Sequence, residues 1–121
     1  MANDKIPAYR QGDVILVRVS EDDERSHDEV KEAKPAGAVL REGEVTGHAH
    51  RIKDGSSATL LQFEAKSTGG YGQNRIRRFL EVKGHAEIIH EEHGTIVPAP
   101  GLYEVVQQRE FADGDHIPVK D

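Results

Sequence analysis

Two short stretches hold four of the chain's seven histidines: GEVTGHAHRI (43–52), with His48 and His50, and HEEHG (90–94), with His90 and His93 around Glu91 and Glu92. Imidazole and carboxylate are the side chains left to hold a divalent ion when thiolate is absent, and this chain has no cysteine. Successive side chains of a strand point to opposite faces, so His48 and His50 share a face with Thr46 and Ile52. Two imidazoles one pleat apart can both reach a single ion. Ala49 between them is small, and Gly43 and Gly47 permit bends, bulges and close backbone approach.

His90 and His93 are three residues apart, a spacing that sends them to opposite faces of a straight strand. Two turns would reunite them. A hairpin with Glu91-Glu92 as its two-residue loop makes them cross-strand partners with Cβ atoms about 4.5–5.5 Å apart, although Glu-Glu is poor chemistry for such a turn. A longer loop with Gly94 as its left-handed residue places His93 inside the turn and swings Glu91 or Glu92 toward the ion. Both arrangements stay open. The expected ligands are His48, His50, His90 and His93, and the expected ion is divalent: zinc, iron or manganese. One of Glu91 and Glu92 is the further ligand or general base; the other faces water. Ser56, Ser57 and Ser67 lie in turn-like stretches, so an enzyme built here would use metal-bound water as its nucleophile. The plainer account is that these histidines end strands and make ordinary hydrogen bonds. HEEHG is not the helical zinc-protease motif, whose second histidine has another spacing. His27 and His116 read as surface residues, and His85, at a strand start, is a weaker candidate for the site.

The elements that must position these residues are mostly strands. GDVILVRV (12–19) is a β-branched run that reads as a buried strand. Strands are expected near 38–46, through the histidines at 47–53, at 58–65 (ATLLQFEA), 75–82 (RIRRFLEV), 85–90, 95–101 and 102–111. DGSS (54–57) is a turn and KSTGGYGQN (66–74) a glycine-rich loop. Residues 20–36 are nearly all charged, with Val30 and Ala33 their only pair at helical spacing, and read as a mobile acidic loop closed by Pro35 and Gly37, a short helix within it being the lesser alternative. Residues 112–121 read as a tail. Short strands with regular turn signals predict an all-β single domain over 1–121, a small barrel or jelly roll of mostly antiparallel strands.

Arg75, Arg77 and Arg78 form a basic spot behind the glycine-rich loop, beside Tyr71, Gln73 and Asn74. A phosphate clamp is one use for such arginines. The glycine spacing fits neither the phosphate loop nor the dinucleotide fingerprint, and pairing with the chain's many carboxylates is the simpler use. Arg10-Gln11 and Arg109-Glu110 read as edge polarity. The net charge is −6 over 121 residues, which argues against non-specific nucleic-acid binding. No apolar run reaches the roughly 18 residues of a membrane span, and MANDKIPAYR lacks a signal peptide's apolar segment. A cytoplasmic chain without membrane contact is the expectation.

Three resemblances bear on these residues. GEVTGHAH with HEEHGTIVPAPGLYEV is similar to the two-motif layout of cupins, in which HxH on one strand and a later histidine hold a metal inside a jelly roll. That resemblance implies His48 and His50 as the pair, and His90 or His93 as the later ligand. The cupin glutamate after HxH is missing here, and the later histidine precedes the proline-glycine turn at 99–101 instead of following it. GDVILVRV, the polar stretch after it and KPAGAVLREGEVTG resemble the opening of the co-chaperonin barrel, without that family's apolar tripeptide. The whole chain resembles small uncharacterised bacterial β-proteins with the same GE-TGHAH and HEEHG blocks. The leading expectation is a divalent-metal-binding, cupin-like β-domain, with metal-assisted catalysis open. The alternative is a non-enzymatic oligomeric or partner-binding module, co-chaperonin-like, whose acidic loop orders on a protein partner.

Overall fold

The structure is a computed structural model that describes residues 6–42, 47–65 and 75–108. Strand β1 (Ile6–Gln11) turns through Gly12 and Asp13 into β2 (Val14–Arg18). Helix α1 (Glu24–Glu32) follows, then β3 (Lys34–Pro35), β4 (Val39–Glu42), β5 (Ala49–Ile52), β6 (Ala58–Ala65), β7 (Arg75–Val82), β8 (Ile88–Ile89) and β9 (Gly101–Gln107). Six strands form one sheet in the order β1-β2-β9-β7-β6-β3, and β4-β5-β8 form a second. The strand pairs are antiparallel.

The all-β expectation therefore holds, but the described strands do not close into a barrel. The large sheet ends in β1 on one side and in two-residue β3 on the other. The small sheet packs on the large one around a shared core. Leu40, Ile52 and Ile88 from the small sheet meet Leu16, Leu60, Leu80, Val82, Tyr103 and Val105 from the large one. Burial of each leucine contributes roughly 1.5–3 kcal/mol. The unbroken apolar run of β2 has its reason here: Val14 and Leu16 face this core, while Ile15 and Val17 are buried with Val106 on the other side.

Residues 20–36 are not an open loop. Asp23 caps α1, accepting from the Ser26 N–H at 3.0 Å and the Ser26 hydroxyl at 2.8 Å. Polar contacts, not an apolar stripe, then hold the helix down. Arg77 of β7 donates to Glu29 at 2.6 Å, to the Ser26 hydroxyl at 3.1 Å, and to Glu104 of β9 at 2.8 and 3.0 Å. Its guanidinium lies 4.8 Å from the centre of the Phe79 ring. Burial works against the arginine's charge, but the bonds to Glu104 and Glu29 outweigh it and hold the group above its ordinary pKa. The basic spot in the sequence is thus spent internally: Arg75 also reaches Glu29, and Arg78 donates to Gln62 and to the Leu40 carbonyl.

Several strands are shorter than expected. The 85–90 segment keeps only Ile88–Ile89 as strand, and 95–101 contributes a single bridge, Ile96 to Ile88. Thr46, the 66–74 loop, Arg109, Glu110, His116 and the 112–121 tail lie outside the described residues. No described helix is long and apolar enough to cross a membrane.

Candidate metal centre

The four histidines converge. The His90 ring is central, with ring centres 4.3 Å from His50, 4.6 Å from His93 and 5.7 Å from His48. His50 and His93 stack 6.0 Å apart. Imidazoles bound to one ion at about 2.0–2.1 Å have ring centres roughly 4.5–5.5 Å apart, so the rings are spaced near that range, although His50 and His93 would have to turn or shift to bring their nitrogens onto an ion shared with His48 and His90.

Three elements build the cluster. His50 lies on β5 facing inward beside Ile52, and is 2 % exposed. His48 precedes β5 at the rim. His90 and His93 belong to the loop between β8 and the Ile96 bridge, so the longer loop is correct and the two-residue hairpin is not. Gly94 does not have the positive φ expected of it. His90 makes the turn instead: its Nδ1 accepts the N–H groups of Glu92 at 3.0 Å and His93 at 3.3 Å. A neutral His90 in this pose carries its proton on Nε2. To ligate an ion it must exchange the turn bonds for the metal or move that proton.

His50 is poised differently. Its Nδ1 lies 2.8 Å from Oε1 of Gln11. The Gln11 amide nitrogen donates to the Ile88 carbonyl at 2.8 Å and to the Gly94 carbonyl at 2.9 Å. With both carbonyls claiming the nitrogen, the amide oxygen must face the ring, so His50 donates from Nδ1–H and keeps its lone pair on Nε2. Burial, then the neighbouring charges of His90 and His93, push its pKa down to about 4 against the pull of Asp13. The ring is neutral at pH 7, with Nε2 free of the Gln11 bond and 3.6 Å from Asp13 Oδ1. Metal-ligating histidines are commonly fixed by such a bond from their other nitrogen.

The two glutamates part company. Glu91 accepts from the Ala49 N–H at 2.9 Å and pairs closely with Arg51, which ties the loop to β5. The Ala49 bond is the largest cause that lowers its pKa, which makes it a weak base. Single ligand atoms of His48, His90 and Glu91 nevertheless lie within 4.8 Å of one another, the one set of three among the described residues that does. Glu92 is more exposed, with a carboxylate oxygen 3.7 Å from Nδ1 of His48. His85 is away from the cluster, paired with Glu87 at 3.1 Å, and His27 reaches the Ser20 carbonyl.

The cluster and most of the fold lie within a span that comparison with known proteins recognises: a family model described as a domain of unknown function, DUF8820, matches residues 10–108. The chain belongs to the DUF8820 family. No curated protein and no solved structure matches it. The match supports neither the cupin nor the co-chaperonin resemblance. The DUF8820 span opens at Arg10, and so takes in the β1–β2 turn as well as all four clustered histidines.

That turn supplies what the sequence reading missed in this DUF8820 chain. Gln11 and Val14 pair across it, leaving Gly12-Asp13 as a two-residue hairpin loop. Gly12 has φ +60°, and a Cβ there would stand 2.6 Å from Nε2 of His93. The glycine is needed both for its conformation and because His93 packs against its backbone. Asp13 turns its carboxylate toward His50, with Oδ1 3.6 Å from Nε2. The signal was present in the sequence: Gly-Asp between two runs with alternating apolar residues is a hairpin turn of the kind that starts with glycine.

Proposed function

We propose that this domain binds a divalent metal ion at the histidine cluster. His50 is the anchoring ligand through Nε2, and His48, His90 and His93 complete the site. The observation that carries the proposal is the His50–Gln11 bond. It fixes a neutral, buried imidazole with its Nε2 lone pair unused by Gln11, beside three other imidazoles at the rim, an arrangement that a cation would complete. An all-nitrogen and oxygen site of this kind suits zinc, iron(II) or manganese. The rim is exposed at His93 and Glu92. An ion with an open position there would hold water near Glu92 as base, which is the arrangement of a metal-assisted hydrolase. The partner-binding alternative has less support, because Ser26 and Glu29 of the acidic segment are already bonded to Arg77.

The test is elemental analysis of tag-free protein beside a His48→Ala/His50→Ala variant. Near-stoichiometric metal in the wild type and its loss in the variant support the site. A metal-free wild type that gives no thermal shift with zinc, iron(II) or manganese defeats it.

A further inference from the structure

The geometry points to Asp13, in the β1–β2 turn, as an anionic ligand of the same ion, bound opposite His50 Nε2. This rests on the metal-binding proposal and changes the site from an all-imidazole cluster to a mixed imidazole–carboxylate one.

The argument starts from two acceptors that face each other. His50 has given its N–H to Gln11, so Nε2 carries a lone pair. The nearest Asp13 oxygen is 3.6 Å away. An ionised carboxylate has no proton to offer, and 3.6 Å is beyond a hydrogen bond. Two lone pairs at this distance repel, and a positive charge between them would turn the repulsion into attraction. The spacing fits a metal ion. Nitrogen and oxygen ligands each about 2.1 Å from a tetrahedral ion stand about 3.4 Å apart, so a shift of a few tenths of an ångström would bring both onto it.

The backbone supports the same placement. Gly12 allows a two-residue turn whose first position has φ +60°, and His93 lies against that turn. The carboxylate is therefore carried by a short hairpin that the cluster itself braces. Gln11, on the other side of the same turn, is 2 % exposed and bonded to His50, Ile88 and Gly94. One turn thus both orients the imidazole and brings the carboxylate to its free nitrogen. Asp13 is half-exposed, so an ion here sits at the mouth of the cluster, where water or an oxygen-bearing small molecule can complete its coordination. The carboxylate also offsets one of the ion's charges, and it favours metals that accept oxygen beside nitrogen.

The experiment titrates chelator-stripped full-length protein with cobalt(II), followed by its visible spectrum, and with zinc in competition. Wild type, Asp13→Asn, Asp13→Ser and His50→Ala are compared, with unfolding of each ion-free protein measured alongside. Both Asp13 substitutes suit the turn. The expected result is a loss of affinity of about 100-fold or more in both Asp13 variants, the upper end of what loss of a merely orienting residue costs. Their cobalt spectrum should also change, while ion-free stability stays near that of the wild type. If the Asp13 variants bind with wild-type affinity and spectrum while His50→Ala does not, the metal site stands and Asp13 is not a ligand. If the wild type itself binds neither ion, both proposals fall.

Discussion

The Nδ1–H of His50 donates to Oε1 of Gln11 at 2.8 Å, and this bond decides which nitrogen of the buried ring faces the histidine cluster. The two residues are 39 positions apart in the chain, one at the end of β1 and one on β5. Gln11 also holds the Ile88 and Gly94 carbonyls, so a single side chain ties the first hairpin to the small sheet and to the 90–94 loop.

Replacing Gln11 with leucine keeps the volume and removes the bonds. His50 Nδ1–H and two backbone carbonyls are then left without this partner in a buried place. A cost of about 2–4 kcal/mol follows from the usual penalty for such groups. Denaturant unfolding reads this directly. Metal affinity should fall about 10–100-fold as well, because the His50 tautomer is no longer fixed. Unchanged affinity in a folded Gln11→Leu protein would mean that the tautomer does not matter to binding.

Acid should weaken the ion-free fold through His50. Its folded pKa, about 4, lies below the unfolded value of 6.5. Between these values the unfolded chain takes up a proton that the folded chain refuses. The contribution is therefore complete above pH 6.5 and is lost as pH falls toward 4, and it amounts to about 3 kcal/mol at most. His90, also lowered first by burial, acts in the same direction. Unfolding free energy measured from pH 7.5 to 4 should drop through this window, and a His50→Gln variant should show a shallower fall. An equal slope in that variant would place the acid sensitivity elsewhere.

How much of this was legible in the sequence varies by element. Strands β6 and β7 lie where the apolar runs put them, at Ala58–Ala65 and Arg75–Val82, because their pattern and their length agree. The convergence of the histidines was readable as a possibility, from the one-residue gap in HAH and the need for a turn at HEEH. Its register was not, because register depends on which strands pair across the chain. Helix α1 was only the lesser reading of its stretch, for a definite reason. A search for an apolar face finds only Val30 and Ala33, whereas Ser26 and Glu29 do the anchoring, to an arginine some fifty positions away. Gln11 was read as edge polarity and Asp13 overlooked because polar residues around a hairpin turn are usually solvent-facing, and only the tertiary structure shows Gln11 buried.

The anchoring of α1 makes a separate prediction. Arg77→Met removes the cation that Glu29 and Glu104 share, leaving Glu104 without it and Glu29 with the more exposed Arg25 at 3.2 Å and Arg75 at 3.6 Å. The cost should be about 2–4 kcal/mol, somewhat below the roughly 3–5 kcal/mol of a fully buried pair because both carboxylates keep some contact with water. Adding Glu104→Gln to Arg77→Met should recover much of the loss by removing the charge left without its arginine. Circular dichroism of the single variant should show reduced helix signal if α1 detaches before the sheets unfold.

Gly12→Ala tests whether the first hairpin and the cluster are one unit. The new Cβ meets two difficulties: a backbone at φ +60°, which costs an L-residue roughly 1–2 kcal/mol, and the His93 ring at 2.6 Å. The ring must move, because backbone on both sides of the turn is held by the Gln11–Val14 pair. Displacing His93 should weaken metal binding by more than the stability loss alone explains, since the protein remains folded while one imidazole leaves its place. The comparison is between the zinc affinity of Gly12→Ala and that of a Gly55→Ala variant. Gly55 has φ +89° and nothing near its Cβ position, so it carries the same kind of backbone strain without touching the cluster. Weakened binding in Gly12→Ala alone would tie the turn to the site. Equal binding in the two variants would show that His93 is dispensable as a ligand and only packs over the glycine.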